Sequence, residues 1–337
     1  MTIHSRAGLT ARLGGRLSAF AFAFAAVAVA VAVLAGCGAA SDPTGSVAIA
    51  PAGDPSAATP APSATADCGN PVQSFAPPGR LPRPGAMPAG SYMAQIARRG
   101  RLIAGVSSDT LLFGARNPIT GTIEGFDIDM LHAVAKAVLG DENKIEFRVI
   151  TYARRLPSLQ DHSVDVVAHT MTINCKRWAQ IDFSAEYFHA GQKVLVRVDS
   201  PATGITGLDG KRVCAAKGST NIDNLAAYPK VVVVGVDDLT DCLVKFQQGD
   251  VDAITADDTV LAGFAAQDPY AKVVGKAFTD EPYGLGVAKD HPEFVSFVNA
   301  VLDQVKRDGR WTASYQRWMG AVAPGGTAPV SVYGRTR

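Results

Sequence analysis

Between Leu102 and Ala266 short apolar, β-branched runs alternate with helical patterns, and the series runs through twice, which restricts the chain to repeated βα units. A short helix over 92–98 leads into a strand over 102–106. The helix expected over 127–139 carries Met130, Leu131, Val134 and Val138 on one face and stops at Gly140, a residue suited to the left-handed position after a helix end. A strand over 145–150, a short helix over 154–160, a buried strand over 164–168 and a strand over 193–198 complete the first series. The second has strands over 212–215, 231–234 and 252–254, with helices from near Ser219, over 239–247 and over 258–266. Such alternation gives parallel sheets covered by helices on both faces, so two α/β lobes are expected.

The end of the chain decides how the lobes connect. A strand over 284–288 precedes a periodic helix over 292–306, with Phe294, Phe297, Val298, Val301, Leu302 and Val305 apolar, and a second helix over 311–319. The expected layout is therefore lobe 1 over 91–198 and 284–320, and lobe 2 over 199–283. Crossings near Val198 and near Gly284 would make a hinge, with a cleft between the lobes. The Pro/Gly-rich tail over 321–337 reads as disordered.

At the other end, Arg6, Arg12 and Arg16 precede a nearly unbroken apolar run over 17–35 with no acidic residue, the layout of an export signal. Leu34-Ala35-Gly36-Cys37 closes it with small residues that suit a peptidase and a thiol that can take a lipid. Residues 1–36 are expected to be removed, and acyl chains on Cys37 to hold the protein on the extracytoplasmic face of the cell membrane. The alternative is a transmembrane helix, since the run just spans a hydrocarbon core of about 30 Å. Residues 37–90 hold eleven of the twenty prolines and read as a disordered tether.

A net charge of +1 and no concentrated basic patch argue against a nucleic-acid partner. Five cysteines, less Cys37, leave four in an oxidising compartment. Of the three pairings open to them, Cys214 with Cys242 and Cys68 with Cys175 are favoured, the first because both its cysteines fall in one βαβα stretch. No CxxC or HxxxH spacing points to zinc, and neither a metal nor a cofactor is expected.

Thr170-Met171-Thr172-Ile173-Asn174-Cys175-Lys176-Arg177 follows a buried strand, the position of a ligand-binding loop at the carboxyl end of a parallel sheet. The Thr170 and Thr172 hydroxyls can face one way, and Arg177 can grip a carboxylate with two parallel hydrogen bonds. Around it, in chain order, stand Gly125-Phe126-Asp127-Ile128-Asp129-Met130, Val164-Asp165-Val166-Val167, Ile181-Asp182-Phe183-Ser184, Gly210-Lys211-Arg212-Val213, Lys217-Gly218-Ser219-Thr220, Val251-Asp252-Ala253-Ile254-Thr255-Ala256-Asp257 and Tyr283-Gly284-Leu285-Gly286. This ordered set, over about 102–319, resembles the bacterial extracellular solute-binding proteins of family 3, the polar amino-acid receptors of ABC importers, and among them actinobacterial glutamate- and glutamine-binding lipoproteins.

The resemblance implies a two-lobed periplasmic-binding-protein-like fold of type II. It matches Arg177 to the arginine that holds a ligand α-carboxylate, Thr172 to the hydroxyl that assists it, and Asp257 to the acid that accepts the α-ammonium. Thr170 stands where many relatives have Gly, leaving its backbone N–H to serve. Ser219 and Thr220 match a second-lobe pair that closes on the carboxylate at a helix N-terminus, although a capping box would use the same residues. Tyr152 falls where relatives stack a ring on the ligand stem. Arg155 matches an arginine used against a distal carboxylate, and Arg116 a cation of glutamate-binding relatives. Ser107 replaces an Asp of several glutamine-binding relatives, and His169 reads as a packed or pocket-edge imidazole.

A zwitterion needs a fixed cation, a fixed anion and neutral donors, and Arg177, Asp257 and the hydroxyls supply them. The extra arginines lean the reading to glutamate or aspartate, with glutamine and asparagine open. The implied role is a receptor that passes an amino acid to an ABC permease, or reports it to a transmembrane sensor; a monomer suffices. Enzyme chemistry of the cyclohexadienyl-dehydratase kind is disfavoured, because His132, His162, His169, His189 and His291 are scattered and form no recognisable triad.

Overall fold

The computed structural model of the chain describes residues 67–336. Cys37, the export signal and the first part of the tether lie outside the described residues. Among the described residues, no helix is long and apolar enough to cross a membrane.

In chain order, the first half comprises β1 (Gln73–Ser74), α1 (Tyr92–Arg99), β2 (Leu102–Val106), β3 (Asp109–Thr110), β4 (Gly114–Arg116), β5 (Ile123–Glu124), α2 (Phe126–Leu139), β6 (Ile145–Val149), α3 (Arg155–Gln160), β7 (Val166–Ala168), α4 (Cys175–Trp178) and β8 (Asp182–Phe183). There follow β9 (Phe188–Arg197), β10 (Arg212–Ala216), α5 (Thr220–Asn224), β11 (Val232–Val236), α6 (Leu239–Gln248), β12 (Ala253–Asp257), α7 (Asp258–Ala265), β13 (Ala271–Val274) and β14 (Asp280–Tyr283). The chain ends with β15 (Gly286–Val287), α8 (Pro292–Arg307), α9 (Arg310–Met319) and β16 (Val332–Tyr333).

Lobe 1 is built on a five-stranded sheet in the order β6-β2-β7-β15-β8, and lobe 2 on β11-β10-β12-β9-β13, with β14 paired to β9. Side chains alternate across a strand, and both faces of each sheet are apolar. In lobe 1, Leu102, Ala104, Val106 and Val166 pack with α2 and α8, whereas Ile103 and Val167 pack with Leu159 and Trp178 on the other side. In lobe 2, Leu195, Cys214 and Ile254 face α6 and α7, and Val194, Val196, Val213 and Ala253 face Ile205, Leu208 and Leu225. Helix ends follow local chemistry: Pro292 opens α8, and Lys306 and Arg307 close it, where the carbonyl ends favour cations.

Three expectations are corrected. Both sheets are mixed: a chain that leaves one lobe and later returns enters each sheet from the opposite direction, so β9 runs antiparallel to β12 and β15 to β7. The first crossing lies at 188–191, where β9 pairs with β14, and not near Val198, because β9 from Gln192 onward pairs within lobe 2. The residues Phe188-His189-Ala190-Gly191-Gln192 lack alternation, which hides the start of that strand. Finally, the end of the tether and the tail are parts of the fold. β1 pairs in parallel with β16, Arg335 Nε donates to Gln73 O at 2.6 Å, and the Arg335 guanidinium lies 3.9 Å over the Trp178 ring. Composition reports local propensity, and these contacts join opposite ends of the chain.

Both disulfides form as paired above. Cys214–Cys242 staples β10 to α6, and Cys68–Cys175 ties the N-terminal segment to the first turn of α4, two residues before Arg177. The hinge itself is the antiparallel pair β9–β14, in which Phe188 faces Tyr283 and Ala190 faces Glu281. An aromatic cluster of Phe113, Phe126, Tyr187, Phe188 and Tyr283 packs around it, with ring centroids 5.0–6.4 Å apart.

Candidate functional site

Arg177 is set by its own turn. Asn174 caps α4 by accepting the Arg177 N–H at 2.9 Å, and the guanidinium turns back so that Nη1 donates to Thr172 O at 2.7 Å. Nη2 reaches the other lobe and donates to Gly218 O at 3.2 Å. Burial, and then the Arg155 charge, lower its pKa to about 9. Three of the five guanidinium N–H groups remain for a ligand.

Thr172 and Thr220 bring the lobes together. Their hydroxyls lie 3.2 Å apart, and each is 2.6 Å from the same oxygen of Glu281. The other Glu281 oxygen accepts from Thr279 Oγ1 at 2.7 Å and from Asn224 Nδ2 at 3.1 Å. Glu281 lies on the returning hinge strand and is 1% exposed, so the cleft contains a buried acid that no motif announced. Its sequence neighbourhood, Asp280-Glu281-Pro282-Tyr283, reads as a polar loop; only its pairing with Ala190 turns it inward.

Asp257 ends β12 and is buried. Asn221 Nδ2 donates to one oxygen at 2.7 Å and the Tyr283 hydroxyl donates to the other. Desolvation, followed by the Glu281 charge, pushes its pKa up. Arg177, Thr172, Thr220, Glu281 and Asp257 thus belong to one cluster spanning both lobes and the hinge. Asn221 and Glu281 stand in no motif of their own, and Tyr283 opens the Tyr283-Gly284-Leu285-Gly286 motif without any sign there that its hydroxyl serves the site.

The other expected residues divide. Ser219 is the N-cap of α5: its Oγ accepts from Ile222 N at 3.2 Å and donates to Ala216 O at 2.7 Å, leaving Thr220 to reach the cleft. Thr170 is buried at φ 42, and its N–H, expected to be open, donates to Asp127 Oδ2 at 2.9 Å. Asp127 also accepts from the Tyr187 hydroxyl, and burial raises its pKa to about 6 against those two hydrogen bonds. Tyr152 is buried beside the cleft, 3.4 Å from Thr110 Oγ1 and 3.5 Å from Thr170 Oγ1, with Arg155 Cζ 4.7 Å over its ring.

Arg155 faces carbonyls. Nε donates to Tyr152 O at 3.0 Å, Nη1 to His169 O and Thr170 O at 2.9 and 3.2 Å, and Nη2 to Gly218 O at 3.0 Å. Ser107 stands behind the cleft wall, accepting from Thr110 N at 3.0 Å and donating to Asp109 Oδ1 at 2.6 Å. Arg116 is not brought to the cluster: it is exposed on the β3-β4-β5 sheet, where Nη1 donates to the turn carbonyl of Gly121 at 2.6 Å. His169 is a packed imidazole, with Nε2 3.1 Å from Ile150 O and the ring 4.4 Å from that of Tyr152.

The site can therefore hold a small dipolar molecule between a buried guanidinium and buried acids, enclosed by movement of two lobes on paired strands. Comparison with known proteins agrees with that architecture. The chain is 38% identical over 229 residues to the glutamine-binding protein of an ABC transporter from Bacillus subtilis, covering 67% of this chain and 84% of that one. It is 31% identical over 245 residues to a glutamate-binding protein of Corynebacterium efficiens, covering 68% and 81%. A crystal structure of a mutant arginine-binding protein from T. maritima superposes with a TM-score of 0.64 at 30% identity, over 68% of this chain and 99% of that one. The profile of the bacterial extracellular solute-binding proteins, family 3, matches residues 102–321, and the chain belongs to that family.

Proposed function

We propose that the protein is an extracytoplasmic receptor for a polar amino acid, glutamine ahead of glutamate, lipid-anchored through Cys37 and serving an ABC importer. The observation that carries the ligand choice is the engagement of Arg155: four of its five N–H groups are on main-chain carbonyls, which leaves no open fork for a distal carboxylate. The cluster also encloses Asp127, Asp257 and Glu281, and among the described residues the buried cations beside them are Arg155 and Arg177. A second carboxylate on the ligand would add an unpaired negative charge to a buried site, whereas an amide adds none. The more similar of the two curated relatives above also bears glutamine in its name.

Arg177 would take the α-carboxylate, Asp257 and Glu281 the α-ammonium, and the Thr172 and Thr220 hydroxyls would complete the shell as the lobes close. Calorimetry with glutamine, glutamate, asparagine and aspartate tests this. Glutamine should bind tightest, and Arg177→Ala should abolish binding of all four, because a buried carboxylate loses its charge partner at a cost of several kcal/mol. If none of the four binds the parent protein, the reading is wrong.

A further inference from the structure

We propose that His162, Asp290 and His291 form a transition-metal site of the kind Zn²⁺ takes, on lobe 1 and apart from the amino-acid cleft. The three ligands come from two turns. His162 lies between α3 and β7, and Asp290 and His291 lie between β15 and α8. Both turns meet at the end of β7 opposite to the one that carries the Thr170–Arg177 loop, because β15 runs antiparallel to β7.

The geometry is close to that of a bound ion. His162 Nε2 and His291 Nε2 lie 3.7 and 3.5 Å from the same Asp290 oxygen, and the ligand atoms of all three residues lie within 4.8 Å of one another. Tetrahedral zinc with bonds of about 2.0–2.1 Å separates its ligand atoms by about 3.4 Å, so two of the edges are nearly in place. Rotation of the half-exposed His162 ring would close the third.

His291 is held ready. Its ring stacks on Tyr92 with centroids 3.7 Å apart, and its Nδ1 faces Glu293 Oε1 at 3.9 Å. Glu293 in turn accepts the Tyr92 N–H at 3.2 Å. At 3.9 Å this is an approach and not a hydrogen bond, and a small shift of Glu293 would bring its carboxylate behind the imidazole to fix the ring orientation. His162 is presented from a left-handed backbone at φ 54, and the neighbouring Lys289 ammonium is drawn off to Trp178 O at 2.7 Å. The site lies at the start of α8, where the helix field opposes a cation, and the Asp290 and Glu293 carboxylates offset it. Two imidazoles and one carboxylate select zinc, copper or nickel over magnesium or calcium, and they leave a position open to water. Because the ligands are split between distant turns, no spacing motif marks them.

The test is titration of the metal-free protein with Zn²⁺ against a chromophoric chelator near neutral pH. Stoichiometric binding that excess Mg²⁺ does not displace is expected. His162→Ala and His291→Ala should each remove it, with unchanged circular dichroism, and Glu293→Gln should weaken it about ten- to hundredfold. Absence of Zn²⁺ binding by the parent, or its retention in a variant lacking both histidines, overturns the proposal.

Discussion

Thr172 in lobe 1 and Thr220 in lobe 2 donate to one and the same oxygen of Glu281, each at 2.6 Å. A single acid on the hinge strand therefore senses both halves of the cleft. Of its four donors, Thr172 alone comes from lobe 1, so parting the lobes removes that one and leaves Thr220, Asn224 and Thr279.

Replacing Glu281 by Gln keeps an acceptor in place and removes one negative charge from the cluster. The remaining guanidinium groups of Arg155 and Arg177 are then in relative excess. The ratio of glutamate to glutamine affinity should rise by about tenfold, equivalent to about 1.4 kcal/mol, as read by calorimetry. An unchanged ratio would mean that Glu281 does not set the charge balance of the site.

Arg155 makes a second test, in which its expected role against a distal carboxylate competes with its observed engagement. Its side chain holds the Tyr152, His169 and Thr170 carbonyls of lobe 1 and crosses to Gly218 of lobe 2. Arg155→Ala should weaken glutamine and glutamate to the same degree and lower the unfolding free energy by roughly 2–4 kcal/mol, through the loss of charge-assisted hydrogen bonds. A selective loss of glutamate, with stability intact, would restore the distal-carboxylate role.

The contrast between Arg155 and Arg177 shows where sequence reading runs out. Residues 102–106 were legible as a strand to the residue, because burial on both faces leaves a continuous apolar run. Arg177 and Asp257 stand out in the sequence through the loop after a buried strand, the family match and the need of a zwitterion for both charges, and the structure buries both. Glu281 does not stand out: its role comes from pairing with Ala190 across the hinge, a long-range contact that leaves no local pattern. Arg155 and Arg116 look alike in the sequence as ligand-facing cations, yet one is 1% exposed among carbonyls and the other stands on an exposed hairpin. The β1–β16 pair was missed for the same reason as Glu281, with composition pointing to disorder where a partner strand supplies order.

Gly218 gives a test of closure. Its φ is +75, and a Cβ there would lie 2.7 Å from Ala153 Cα and 3.1 Å from Ala153 N, which are backbone atoms of lobe 1. Gly218→Ala should therefore oppose closure beyond the cost of roughly 1–2 kcal/mol for a left-handed alanine. Small-angle scattering should show a larger radius of gyration at saturating glutamine than in the parent, and the affinity should drop at least about tenfold. Ala153→Gly should not rescue it, since the obstructing atoms remain. A variant that closes as the parent does would show that the approach of Gly218 to Ala153 does not limit closure.

His169 predicts a pH dependence with a definite sign. Desolvation, followed by the Arg155 charge, lowers its pKa to about 3 from 6.5, and its Nδ1 has no hydrogen-bond partner among the described residues. The unfolded chain takes up a proton below about pH 6.5 while the folded protein does not until about pH 3, so the unfolded state binds more protons in that window and stability falls as pH falls through it. Asp127 works against this: its folded pKa is raised to about 6 from 3.8, so the folded state holds the extra proton and stability falls as pH rises between those values. The two contributions separate in His169→Gln, whose amide can still donate to Ile150 O. Between about pH 6.5 and pH 4 the parent should lose about 3 kcal/mol relative to that variant in urea unfolding, at 1.36 kcal/mol per pH unit. Parallel stability profiles for the two proteins would show that the imidazole titrates freely in the fold.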